Sequence, residues 1–232
     1  MRPSHLLAVI AVLALSPLAI AGDAPKGMWD GCGEGTWVET KTTSSTEMPG
    51  MTQPANVSET RQTLVKVTDA EWVMKTERKA GGAWTGGMEI KIPRIAPKNL
   101  AAVPTPEDLG SESVTVEGKE YPCKKTKLVF AGMTTVSWVS ADQGVLKTES
   151  QMLLGTTATM QVTSLSKKAT VAGKEIACRE SKTVSKGPGS DMSSVTLSSD
   201  AVPTHTVRQE TTTAAGPAKI RAVTEVTAFE IK

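Results

Sequence analysis

Aromatic side chains are almost missing from this chain, with two Phe, one Tyr and five Trp among 232 residues. So few large fillers are thin for an enclosed core, and point to a sheet left open on one side or covered only by a connecting segment. Histidine is scarcer still. Beyond residue 21 only His205 remains, which excludes a His-based metal set. No HExxH, CxxC or GxSxG occurs, and GGAWTGG (81–87) lacks the Gly-Lys-Ser/Thr ending of a phosphate loop. Ser164 and Lys167 satisfy a Ser-x-x-Lys spacing, but inside a strand-like run rather than at a helix start, and without companion motifs. Neither a catalytic set nor a cofactor follows from these residues. Charge of one sign is missing too. After residue 21 the chain carries 25 basic and 24 acidic side chains, too balanced to steer nucleic acid or an anionic membrane.

What is present starts with an address. Arg2, the apolar run 6–15, the break at Ser16-Pro17 and the small-x-small triplet ending at Ala21 read as a signal peptide over 1–21, cleaved before Gly22. The apolar run is short of the roughly 20 residues that a membrane span needs. The mature chain is therefore expected in the periplasm or secreted, as a monomer with no transmembrane segment after processing.

Threonine dominates the rest, with 31 copies, all after residue 35 and mixed with Val and Ser. β-Branched residues suit a pleated surface and lose rotamer freedom in a helix. The alternation in TTVSWV (134–139) places Val136 and Trp138 on one face and Ser137 on the other, and VTLSS (195–199) repeats the pattern with Val195 and Leu197. Turn signals recur every eight to twelve residues. Together these predict an all-β, antiparallel meander of thirteen strands with one dry and one wetter face. A β-sandwich is the alternative arrangement.

The chain also repeats itself. VEGKEYPCK (116–124) matches VAGKEIACR (171–179), Trp138 falls on Leu197, and VTSLSK from Val162 matches VTAFEIK from Val226. The two copies cover 116–165 and 171–229. A third, fainter copy shows where VMKTE (73–77) matches VLKTE (145–149). The expected organisation is an N-terminal β unit over 22–92, a proline-rich crossover over 93–110, and the two-repeat unit over 111–232, continuous with the first sheet. Lys98 to Val103 could form one helical turn in the crossover.

The unit GKExxC[KR]…VSWVS…VLKTE…VT resembles uncharacterised secreted bacterial proteins with curved antiparallel sheets, similar to the half-barrel of the periplasmic lipoprotein carriers LolA and LolB. The resemblance covers 112–231 well and 35–92 loosely, and leaves out the crossover. It implies an open, curved half-barrel whose concave face, in the carriers, is rich in aromatic residues and holds acyl chains. By that likeness this chain is an exported, non-enzymatic protein binding an apolar or amphiphilic ligand, such as a lipid or lipoprotein, on its concave face. The other expectation is a structural or interaction module that meets an envelope protein and holds no small ligand. Trp72, Trp84 and Trp138 read first as core fillers and are the candidates for ligand contact. The crossover is the segment free to cover the concave face.

Cys32, Cys123 and Cys178 allow at most one disulfide. Cys123 and Cys178 hold equivalent places four strands apart, on the order of 19 Å at the usual strand spacing, which is too far to bridge. Cys32 is the expected partner if either is oxidised.

Overall fold

The computed structural model describes residues 29–94 and 104–232. The expected signal peptide with its Ala21–Gly22 cut, and the helical turn near Lys98, lie outside those residues.

The strands are Trp37–Met48 (β1), Met51–Thr52 (β2), Asn56–Val67 (β3), Glu71–Ala80 (β4), Ala83–Pro93 (β5), Glu107–Val116 (β6), Lys119–Phe130 (β7), Met133–Ser140 (β8), Gly144–Gln151 (β9), Thr157–Val171 (β10), Lys174–Gly187 (β11), Ser190–Ser198 (β12), Thr206–Ala215 (β13) and Ala218–Glu230 (β14). They form one open, curved antiparallel sheet in the order β5-β4-β3-β1-β14-β13-β12-β11-β10-β9-β8-β7-β6, with β2 added to β1. The antiparallel meander is as expected within β6–β14 and within β1–β5, the two runs being joined by pairing of β14 with β1. β6 starts earlier than the sequence suggests, because Gly110 lets a bulge between Asp108 and Ser111 pass through what reads as crossover. The two edge strands, β5 and β6, are consecutive in the chain, so the proline-bearing segment runs from one edge of the sheet to the other.

The repeat holds residue for residue in the packing. One buried cluster contains Val114, Val116, Cys123, Trp138, Leu146 and Val162, with Tyr121 against it. The other contains Val171, Ile176, Cys178, Val207 and Val226, with Ala169 and Leu197 against it. These are the same seven positions of two successive units. Leu146 and Val207 even share an irregularity, each being the extra residue of a bulge: Trp138 pairs Lys147 while Val139 pairs Val145, and Leu197 pairs Arg208 while Ser198 pairs Thr206. In both units a hairpin outruns its neighbours. β8 begins pairing with β7 at Cys123, β12 begins pairing with β11 at Arg179, and β9 pairs β10 only over 157–161. The overhanging arms carry the apolar pairs that close each cluster. The first arm is tied to the next unit where Leu165 N donates to Glu117 Oε2 at 3.3 Å.

The third copy is also present, divided between the two ends of the chain. β4, with its VMKTE, lies four places beyond β13 in the sheet, as β13 lies four places beyond β9. Its Met74 is buried in the place of Leu146 and Val207. The unit is thus β14-β1-β3-β4, and VETKTTS (38–44) stands where RESKTVS (179–185) stands in the unit before.

Candidate functional site

The sheet has a neutral face and a charged face, and their register is continuous. One row of directly opposed residues runs Thr126, Ser137, Thr148, Met160, Thr183, Ser194, Thr211, Ala222, Ser44, Asn56. The next row runs Val162, Ser181, Thr196, Gln209, Thr224, Thr42, Ser58. Over these strands neither row contains an ionisable side chain, and the first meets Asp108 only where it reaches the edge strand β6. The alternation along β10 identifies this as the inner, concave face, since Ala158, Met160, Val162 and Ser164 are the more covered residues and Thr157, Thr159, Gln161 and Thr163 are exposed. The wall is therefore built of hydroxyls, not of rings.

Those hydroxyls bond one another across strands. Thr40 meets Thr60 at 2.8 Å, Thr42 meets Thr224 at 3.0 Å, and Thr135 meets Ser150 at 3.1 Å. Thr211 Oγ1 and Gln209 Nε2 both donate to Ser194 Oγ, at 3.2 and 3.3 Å. A hydroxyl keeps further lone-pair capacity after one such bond, so the wall still offers acceptors to an incoming donor. Thr126 Oγ1 is buried with no partner.

The opposite face holds the charges. Arg61 pairs with Glu39, Lys79 with Glu59 at 2.7 Å, Lys125 with Glu112 at 2.8 Å and Arg221 with Glu210 at 2.6 Å. The tryptophans are split among these environments. Trp84 lies on the charged face, with the Arg61 guanidinium 4.7 Å from its ring; the same guanidinium is 5.0 Å from Trp37. Trp138 is buried in the first cluster beneath the Lys125 and Lys147 ammonium groups, 4.8 and 4.4 Å from its ring. Trp72 is buried in the second cluster, with Arg94 5.2 Å above it. The three candidates do not converge on one surface. Ser137, expected to point outward, is only 3 % exposed, because the curling sheet covers its inner face as well as its clusters.

Two features escape the sequence reading. One is the Arg61 sandwich between Trp37 and Trp84, which only the strand register brings together. The other is Arg179, whose guanidinium donates to Gln143 O at 2.7 Å and to Val145 O, clasping the β8–β9 turn of the preceding unit. Burial pushes its pKa down.

Burial raises the thiol pKa of Cys123 and Cys178, and burial with Asp30 nearby raises that of Cys32. All three are free thiols. Cys123 and Cys178 occupy separate clusters, and Cys32 packs against the one that holds Cys178. His205 Nδ1 lies 3.2 Å from Asp200 Oδ1. Among the described residues no group of three His, Cys, Asp or Glu is placed to hold a metal ion. Ser164 is buried within β10, and its Oγ accepts from Ser166 N at 3.3 Å. A cavity of about 190 Å³ lies between the second arm and β12–β14, lined by Ala169, Val171, Leu197, Val207, Arg208 and Val226 among others. It falls below the roughly 300–1,000 Å³ usual for ligand pockets.

The fold thus defines an all-β half-barrel of repeated four-strand units. No protein-family model matches the chain, and no curated protein does. Among solved structures it is similar to a DUF1329 family protein from Desulfovibrio piger, with 7% identity over 85% of this chain and 86% of that one and a TM-score of 0.35. It is also similar to a LolA superfamily protein from Nitrosomonas europaea, with 8% identity over 86% and 87% and a TM-score of 0.31. A third likeness is to MucB in complex with MucA(peri), with 12% identity over 82% and 88% and a TM-score of 0.20.

Proposed function

We propose that this is an exported, non-enzymatic envelope protein whose concave face receives a polypeptide segment of a partner protein rather than an acyl chain. The observation that carries the reading is the hydroxyl wall. Ten residues in register from Thr126 to Asn56 include seven Thr or Ser and no charge. A lipid tail gains its affinity from apolar area, about 25 cal/mol per Å², and hydroxyl rows offer it little. A peptide brings amides that exchange hydrogen bonds with hydroxyls on near-equal terms. Sugar rings would look for aromatic platforms, and the candidate tryptophans are buried or on the charged face. Export rests on the processing pattern at 1–21.

The test places a photo-crosslinking residue at Thr183 or Thr196 on the wall, and at Lys182 on the outer face, in cells that export the protein. Discrete protein adducts from the wall positions alone are expected. Native mass spectrometry of protein released from its own envelope is expected to show no bound lipid. A stoichiometric lipid, or adducts confined to Lys182, would sink the proposal.

A further inference from the structure

The antiparallel meander gathers its turns into two ends with opposite chemistry. One end collects the β3–β4, β6–β7, β8–β9, β10–β11 and β12–β13 turns, and both buried clusters lie there. Its turns bring charge: Asp69, Glu117, Asp142, Lys174 and Asp200 sit in or beside them. The other end collects the β1–β3, β4–β5, β7–β8, β9–β10, β11–β12 and β13–β14 connections. Five of those six pass through stretches with no Asp, Glu, Lys or Arg at all: 48–58, 80–88, 128–141, 150–166 and 211–218. The β11–β12 turn has Lys186 and Asp191 in its second strand pair, Lys79 and Lys219 hold the same place beside the β4–β5 and β13–β14 turns, and Glu107 and Asp108 open β6 at this end.

The charge-free tips are also where apolar side chains stand in solvent. Among the described residues, six of the eleven exposed large hydrophobics lie in those stretches: Met51, Val57, Met88, Val129, Phe130 and Leu154. Two tips adjoin, because Phe130 pairs Met133 across the β7–β8 turn while Thr134 pairs Gln151 beside the β9–β10 turn. Leu154 is the extreme case. It is 89 % exposed and sits at φ 65° in the turn Met152-Leu153-Leu154-Gly155, a left-handed conformation that L residues seldom adopt. None of the described residues covers it, and a non-glycine held there at full exposure points to an external role.

We propose that this end docks on a lipid surface, with the β7–β8 and β9–β10 tips dipping into the interface and the charged end held away from it. Charge exclusion selects the occupant. A protein partner tolerates or prefers charge at the rim of its contact, whereas each ionised group drawn into the acyl boundary is costly. The β7–β8 and β9–β10 tips, whose first two strand pairs carry neither sign, match the second requirement. The contact is independent of what occupies the concave wall. With no cation in those two tips, binding should owe little to anionic lipid or to salt.

The test is flotation of the chain beginning at Gly22, which keeps every described strand, with vesicles of phosphatidylcholine alone and of phosphatidylethanolamine with phosphatidylglycerol. Comparable binding to both is expected, unchanged between low and high salt. Leu154→Glu and Phe130→Glu should each weaken partition on the order of tenfold or more. Val195→Glu, which is exposed in the middle of β12, should not. Circular dichroism of each variant checks folding, and Leu154 contributes too little burial for its replacement to disturb the sheet. Absence of vesicle binding, binding only to anionic vesicles at low salt, or self-association in place of flotation would each overturn the proposal.

Discussion

At the scale of single residues, the two clusters make a paired prediction. Trp138 and Leu197 occupy the same place in successive units, so Trp138→Ala should cost about 3–5 kcal/mol and Leu197→Ala about 2–5 kcal/mol. Leu197 is half-buried where Trp138 is sealed, which puts Leu197 towards the low end. Thr126 should behave in the opposite sense. Its buried hydroxyl has no partner, and Thr126→Val keeps the shape while removing the desolvated group, for a gain of about 1 kcal/mol. Denaturant melts decide both, and a destabilised Thr126→Val would show that the hydroxyl is satisfied. The thiols are tested by alkylating the native, unreduced protein. Burial holds all three in the unreactive protonated form. Cys32, the least buried, should label first, and no Cys123–Cys178 peptide should be found.

At the scale of elements, most of the fold is legible because period-two alternation and turn residues are local signals. Val136, Trp138 and Val195 announce their strands, and the X-Gly pairs announce the hairpins. The face assignment is less legible. Thr and Ser serve equally on a wet surface or on a curved inner wall, and only curvature, set by register over many strands, decides between them. Ser137 is the example: polar in sequence and sealed in the structure. The Arg61–Trp37–Trp84 stack fails to show for the same reason, since it joins β1 and β3 to β5 across the intervening β4. The repeated arms also yield a test of turn geometry. Ala172 and Gly173 both have positive φ, 49° and 79°, as do Glu117 and Gly118 at 52° and 78°. Such two-residue turns favour Asn-Gly. Ala172→Asn should therefore relieve about 1 kcal/mol of left-handed strain and raise the melting temperature. An unchanged or lower melting point would show that the turn carries no such strain.

At the scale of the whole molecule, the first and last strands pair inside the sheet rather than standing at its edges. β1 and β14 pair over Trp37 to Glu47, Gly33 N donates to Lys232 O at 3.0 Å, and Lys232 N donates to Thr36 Oγ1 at 3.0 Å. The sheet order therefore reads as a simple meander only if it starts at β6, passes through β14 to β1 and ends at β5. In that order all three units become contiguous in sequence, and the faint third copy joins its missing first strand. A circular permutant that links Lys232 to Trp29 through a short flexible loop, with new ends between Arg94 and Pro104, should keep every strand pair. It loses only the long connection between edge strands β5 and β6. Because the most distant pairing in the native chain, β1 with β14, becomes a neighbouring hairpin, the permutant should refold faster than the native chain at similar stability. Stopped-flow refolding and denaturant melts test this directly. A permutant that fails to fold, or that folds with lost stability, would show that the edge-to-edge connection holds the sheet in its curve.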